Sequence, residues 1–201
     1  MKTMKVKLTF TEEVLGTASA DPEIHREFIA SKAPDAPTIE DEVAAVGVDE
    51  VAEKSTTIFP RDENGNPFVY DYQIKGFFKD ACGVLRRVSD SKSAKLKAYK
   101  KEIDGLVFVV ERATPFLMDG EPITELGTCQ RPLRAETAQG ARVALASSET
   151  VPAGATIEFT VQVLKDDLLN LVREWLDYGA LRGLGQWRNS GKGRFTWCEC
   201  E

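Results

Sequence analysis

Polar and apolar side chains alternate along Lys5-Val-Lys-Leu-Thr-Phe10, the period of two that marks a half-buried strand. The cleanest alternation comes much later, in Ala155-Thr-Ile-Glu-Phe-Thr-Val-Gln-Val163, after a turn at Pro152-Ala-Gly154. Shorter strand-like stretches occur at 56–59, 68–70, 141–146 and 194–197. Leu106-Val-Phe-Val-Val110 is an unbroken apolar run short enough for a central strand, which places Phe108 and Val110 in the core. Two segments change to helical spacing. Between Gln73 and Val88, the apolar residues Ile74, Phe77, Phe78, Ala81, Val84 and Leu85 recur every three or four positions. Between Asp166 and Tyr178, Leu168, Leu169, Leu171, Val172, Trp175 and Leu176 form a broad apolar stripe.

The breaks between these patterns set the order of elements. Leu15-Gly16 ends the first strand, and Asp21-Pro22 carries the cap and first-turn proline of a helix start. Pro34 and Pro37 end that piece, and irregular helical spacing among many acids follows to Glu53, so residues 21–54 are expected to form an acidic helical insertion. Asn64-Gly65 is the turn signal of a hairpin joining 56–59 to 68–70. A lysine-rich link precedes the strand at 106–110, and 111–140, with prolines at 115, 122 and 132, reads as irregular. Stripped of additions, the order is strand, helix, strand, strand, helix, strand. It predicts an α+β protein with a ferredoxin-like (RRM-like) β-α-β-β-α-β core and an antiparallel sheet, a single domain over 1–201 with the insertion inside it.

A chain of 201 residues supports one full core with a sizeable insertion. No apolar run reaches the length of a membrane span, and the N-terminal residues lead into a strand rather than a signal-peptide core, so a cytoplasmic protein without membrane contact is expected. Cys82, Cys129, Cys198 and Cys200 lack zinc-site spacing and read as buried or incidental thiols. The net charge of −6 argues against a general coat for nucleic acid, but the charge is unevenly distributed. Acids dominate from Asp21 to Glu53. Nine basic residues from Lys75 to Lys101 face only Asp80 and Asp90, and Arg182, Arg188, Lys192 and Arg194 face no acid in their own segment. If the two basic segments meet, they make a positive groove on an acidic protein.

Chemistry concentrates in Gly183-Leu-Gly185-Gln-Trp-Arg-Asn-Ser-Gly191-Lys-Gly193, two G-x-G pairs either side of five residues. Glycines at these spacings allow positive φ and close backbone approach, so the N–H groups of such a loop can surround an anion. Arg188 and Lys192 add charge, and Trp187 offers a surface for a base. The loop lies between a helix and a strand, the reverse of a dinucleotide-binding loop, and the Lys-Ser/Thr pair of a Walker motif is missing. The competing reading is a C-terminal turn that uses its glycines only for geometry. The lysines from 92 to 101, with Tyr99 among them, read either as a track for a phosphodiester backbone or as a solvated link.

The glycine-rich loop before a final strand resembles that of the repeat-associated mysterious protein (RAMP) superfamily, the RNA-binding subunits of CRISPR effector complexes. A second segment agrees: Asp62-Glu-Asn-Gly65-Asn-Pro67-Phe-Val-Tyr-Asp-Tyr-Gln-Ile74-Lys75-Gly76-Phe-Phe-Lys-Asp80 is similar to that family's "nGnPyIPGSSlKGalR" stretch. Where the family has Pro-Gly-Ser-Ser, this chain has Tyr70-Asp71-Tyr72-Gln73, so the turn there is built differently. The likeness is greatest to the backbone subunits that polymerise along a guide RNA. It implies a non-catalytic module that holds single-stranded RNA through Lys75, Gly76, Lys79, Gly183, Gly185, Trp187, Arg188, Gly191, Lys192 and Gly193, and that associates with itself or with other effector subunits. No cofactor and no metal are expected.

Two other functions remain open on the sequence. A metal-independent endoribonuclease would use His25, the only histidine, which lies in the acidic insertion and reads more simply as a solvated helix residue. Some relatives instead cleave with an aspartate, and Asp35 and the acids of 40–53 fall where one could occur, although none can be aligned. A phage-encoded mimic or inhibitor that engages a CRISPR or other defence complex would use the acidic insertion.

Overall fold

The computed structural model describes residues 1–19, 56–137 and 140–200. The expected acidic insertion at 21–54, with His25 and Asp35, lies outside them. In chain order the strands of the first half are β1 (Lys2–Phe10), β2 (Val14–Leu15), β3 (Ala18–Ser19), β4 (Thr57–Ile58) and β5 (Phe68–Tyr70). Helix α1 (Asp71–Leu85), a 3-10 turn (Lys92–Lys95), helix α2 (Tyr99–Leu106) and strand β6 (Val107–Val109) follow. Then come β7 (Ala113–Pro115), β8 (Leu117–Met118), β9 (Glu121–Pro122), β10 (Gly127–Thr137), β11 (Gly140–Val151) and β12 (Thr156–Val163). Helix α3 (Leu168–Arg182), a 3-10 turn (Arg188–Ser190) and β13 (Phe195–Cys200) complete the order. No helix among the described residues is long and apolar enough to cross a membrane.

The chain divides into two compact units, one of Met1–Val14, Pro60–Glu125 and Val151–Glu201, the other of Leu15–Phe59 and Leu126–Thr150. In the first, β1 lies between β12 and β13, antiparallel to both, with Leu8 opposite Ile157 on one side and Trp197 on the other. The far edge of β12 takes β6, with Val161 opposite Val109, and β8, with Thr156 opposite Leu117. The alternation seen in the sequence is the reason for this sheet: Met4, Val6, Leu8 and Phe10 of β1 and Ile157, Phe159, Val161 and Val163 of β12 are all buried, and the residues between them are not. Burying one such side chain is worth ~1.5–3 kcal/mol, so this face is the principal source of the unit's stability. Helices α1 and α3 supply its cover. Phe77 meets Phe195 of β13 at 5.2 Å between ring centroids, and Phe78 meets Trp175 of α3 at 5.7 Å.

The second unit is built on the β10–β11 antiparallel pair, with β4 parallel to β11 and β3 antiparallel to β4. Its buried polar centre is Arg131, whose guanidinium donates to Ser148 Oγ at 2.7 Å, while Ser148 and Thr57 share a hydroxyl–hydroxyl bond of 2.6 Å.

Several expectations are corrected. The segments at 56–59 and 68–70 do not form a hairpin: β4 pairs with β3 and β11, and β5 pairs with β7. The Asn64-Gly65 turn forms nonetheless. Asp62 accepts from the Asn64 and Asn66 N–H groups at 2.9 and 2.8 Å, and a single bridge, Arg61 to Pro67, closes the base. Hydrogen bonds led by the Asn66 side chain hold the Asp62 carboxyl below the ordinary aspartate value. The stretch 111–140 is not irregular but holds β7 to β10 and the start of β11; Pro132 lies in β10, which among the described residues is an edge strand, where proline is tolerated. The lysine-rich link contains a 3-10 turn and α2. The run at 106–110 lies on an edge rather than in the centre of the sheet, so Val107 and Val109 are buried while Phe108 is 38% and Val110 58% exposed.

Candidate nucleic-acid interface

Helix α3 stops at Gly183, whose φ of 80° L side chains rarely adopt. A Cβ there would lie 2.5 Å from the Lys192 carbonyl oxygen, and one on Gly193 would collide with the Leu184 carbonyl. The two ends of the glycine-rich loop are therefore pressed backbone to backbone. The Leu184 N–H donates to Gly193 O at 2.9 Å, and the Gly193 N–H donates to Glu13 O at 2.8 Å. Within the pinch the chain passes through Trp187 at φ 54°, turns once through Arg188–Ser190 and leaves through Gly191 at φ 85°. The Ser190 and Gly191 N–H groups close this turn onto Trp187 O and Arg188 O. Trp187 is 39% exposed. Gly185, at φ 89°, completes the set of loop glycines, all with positive φ.

The cations of the loop find acids from distant segments. Asp80 of α1 accepts from Arg182 Nε and Arg188 Nη1, both at 2.9 Å and both on Oδ2. Arg182 also donates to Asn189 Oδ1 at 2.8 Å, which ties the end of α3 to the loop. Lys192 pairs with Glu13. Burial lowers Arg188 from the ordinary guanidinium value while Asp80 opposes the change. Among the described residues, two guanidiniums meet one carboxylate in the Asp80 cluster, an excess of one positive charge.

Lys75 and Lys79 lie on α1 with the same economy of acid. The Lys75 ammonium donates to Asp104 O near the C-terminal end of α2 at 2.9 Å and sits 4.7 Å from the Phe108 ring centroid. Burial lowers its pKa, with Asp104 opposing. Lys79 pairs with the Asp104 carboxylate at 2.6 Å. Gly76, one residue on from Lys75, is exposed, and a Cβ there would meet nothing within 4 Å. The two sequence segments singled out for RNA thus come together: Asp80, in the helix that carries Lys75, Gly76 and Lys79, holds Arg188 of the loop.

In the sequence Asp80 and Arg182 count only as charges of their own segments, and Glu13 and Asp104 are not singled out, because their partners lie elsewhere along the chain. The lysine-rich link also gains an anchor. Glu174 accepts from the Lys92 and Ser93 N–H groups at 2.6 and 2.9 Å and from Ser93 Oγ at 2.5 Å, and Trp175 Nε1 donates to Ser93 Oγ. Lys92, Lys95, Lys97, Lys100 and Lys101 remain exposed. Tyr99 packs against Arg86, 4.9 Å from its guanidinium carbon, and against Gly83.

A second cluster, unassigned by the sequence, opens α1. The Tyr70 N–H donates to Gln73 Oε1 at 2.8 Å, half of a capping box, and this starts the helix at Asp71. Tyr70 stacks on Tyr72, with centroids 5.1 Å apart and planes 20° from parallel, and Phe68 meets Tyr70 edge-on at 4.7 Å. Arg112 pairs with Asp71 at 2.5 Å. Burial, with Tyr70 adding to it, pushes the Tyr72 phenol up to about 12. The period-two spacing of Phe68, Tyr70 and Tyr72 was the available signal. Among the described residues, no group of three or more His, Cys, Asp or Glu is placed to hold a metal.

No known family profile and no curated protein matches the chain. Solved structures do. Over all of its length the chain resembles 60% of a chain in the cryo-EM structure of the Type III-B Cmr-beta bound to cognate target RNA, at 11% identity and a TM-score of 0.54. It also resembles a chain of a Type IV-B CRISPR complex, covering 99% of this chain and 90% of that one, at 12% identity and a TM-score of 0.51. The chain spans about 60% of the length of the Cmr-beta chain it matches. At these identities the shared property is the fold, which this chain has in common with chains of two CRISPR complexes.

Proposed function

We propose that this chain is a RAMP-type, non-catalytic RNA-binding subunit of a CRISPR effector assembly, with a ferredoxin-like core. The strand order β13-β1-β12-β6, with α1 and α3 as the two crossover helices, supports the fold assignment. The Cmr-beta structure contains target RNA, and both similar chains come from CRISPR complexes, which supports single-stranded RNA and other effector subunits, or further copies of this chain, as partners. The observation that carries the reading is the shared Asp80: it brings α1 and the glycine-rich loop together with, among the described residues, one cation in excess. A phosphate would take Arg188 or Lys192 from its carboxylate, exchanging one charge-assisted bond for another.

The test is binding of labelled single-stranded RNA across a salt series. Arg188→Ala combined with Lys192→Ala is expected to weaken binding at least tenfold and to reduce the slope of log K against log salt by ~0.7 for each phosphate the variant no longer neutralises. Intact RNA recovered after prolonged incubation is the expected sign of a binder without cleavage. Wild-type protein that ignores RNA at low salt, or a double variant that binds as wild type does, overturns the assignment.

A further inference from the structure

The rings of Phe68, Tyr70 and Tyr72 form a column that runs outward from the core. Phe68 is buried, at 6% exposure, while Tyr70 and Tyr72 are only partly covered. Among the described residues Tyr72 stacks only on Tyr70, so no further ring continues the column beyond it. Arg112 flanks the stack, with its guanidinium carbon 5.5 Å from the Tyr70 centroid and 5.7 Å from that of Tyr72. The guanidinium is thus about equally far from the two ring centroids, which are themselves 5.1 Å apart. Asp71 fixes that position, and the Arg112 side chain is still 56% exposed.

We infer that the outer face of Tyr72 is a seat for one nucleobase of single-stranded RNA, with Arg112 beside it to meet the adjoining phosphate. The inference rests on the RNA-binding reading and adds to it a stacking contact outside the glycine-rich loop. A base suits this arrangement better than a protein side chain, because it brings both a flat π face for the ring and an anion for the flanking guanidinium. Stacking of this kind is indifferent to sequence, since every base has such a face.

The probe is a single-stranded oligoadenylate carrying 2-aminopurine, whose fluorescence falls when the base stacks. Quenching is expected with wild type and with Tyr72→Phe, which keeps the ring. Tyr72→Ala should abolish it and weaken binding by roughly five- to a hundredfold, with the salt slope unchanged, because the ring neutralises no phosphate. Circular dichroism confirms that the compared variants are folded. Wild-type affinity in Tyr72→Ala, or a weakening that comes with a changed salt slope, overturns the seat while leaving the loop reading intact. Absence of RNA binding by wild type overturns both. If Tyr72→Ala instead loses self-association and keeps its RNA affinity, the column is a protein contact and the seat is overturned.

Discussion

Gly76 faces solvent from within α1, where glycine is a poor helix former and a Cβ would meet nothing within 4 Å. Gly76→Ala is accordingly expected to raise the unfolding free energy by ~0.5–1 kcal/mol, seen as a higher urea midpoint at unchanged slope; a lower midpoint would mean that the helix uses the glycine's freedom. Lys75 and Gly76 could be named as candidates because their motif is continuous in sequence. Asp80 could not. It stands in the sequence as one acid among lysines, yet it meets Arg182 and Arg188 across 102 and 108 residues. Glu13 meets Lys192 across 179. Counting acids within a segment cannot find such partners, so the loop that looks purely basic in sequence is largely charge-compensated in the fold. The column of Phe68, Tyr70 and Tyr72 was hidden differently: its period of two runs across an element boundary, with the first two rings in a strand and the third in a helix.

Strands with clean alternation and helices with long apolar stripes were legible, since burial of one face dictates both patterns. The α1 and α3 boundaries moved by a few residues, to Asp71–Leu85 and Leu168–Arg182. Helix α2 was hidden because eight residues with Ile103 alone buried make no stripe. The β6 edge position is equally invisible in a run of five apolar residues, since strand order is a property of pairing. The glycine-rich loop was recognised, but the demand for its glycines comes chiefly from its own backbone. Gly191→Ala imposes only left-handed strain, ~1–2 kcal/mol, because its Cβ would lie 3.6 Å from the Arg194 side chain, an ordinary van der Waals separation. Gly193→Ala adds a collision with the Leu184 carbonyl and should destabilise by clearly more. Thermal unfolding of the two variants side by side measures the difference; equal destabilisation would show that the loop ends can part without cost.

For the whole molecule, stability should be greatest where the sheet is paired on both sides. β1 is flanked along most of its length by β12 and β13, and its inward residues are at most 2% exposed. Native-state hydrogen exchange is expected to find the amides of Val6 and Leu8 among the slowest, opening only with global unfolding; slower exchange in β5–β7 or β10–β11 would move the stability core elsewhere. A mixed fold with antiparallel sheets was readable from the element order, whereas the separation into two compact units was not, because Leu126–Thr150 joins Leu15–Phe59 from far along the chain. The backbone closure between Leu184 and Gly193 has a consequence for whatever this molecule meets. A loose glycine-rich segment would surrender its conformational entropy on capture of a ligand, but this one is fastened at its base when the chain folds. Little ordering would be left to oppose association of an anion with this loop, so its affinity would be set by the exchange of partners at Asp80 and Glu13 rather than by immobilisation of the loop.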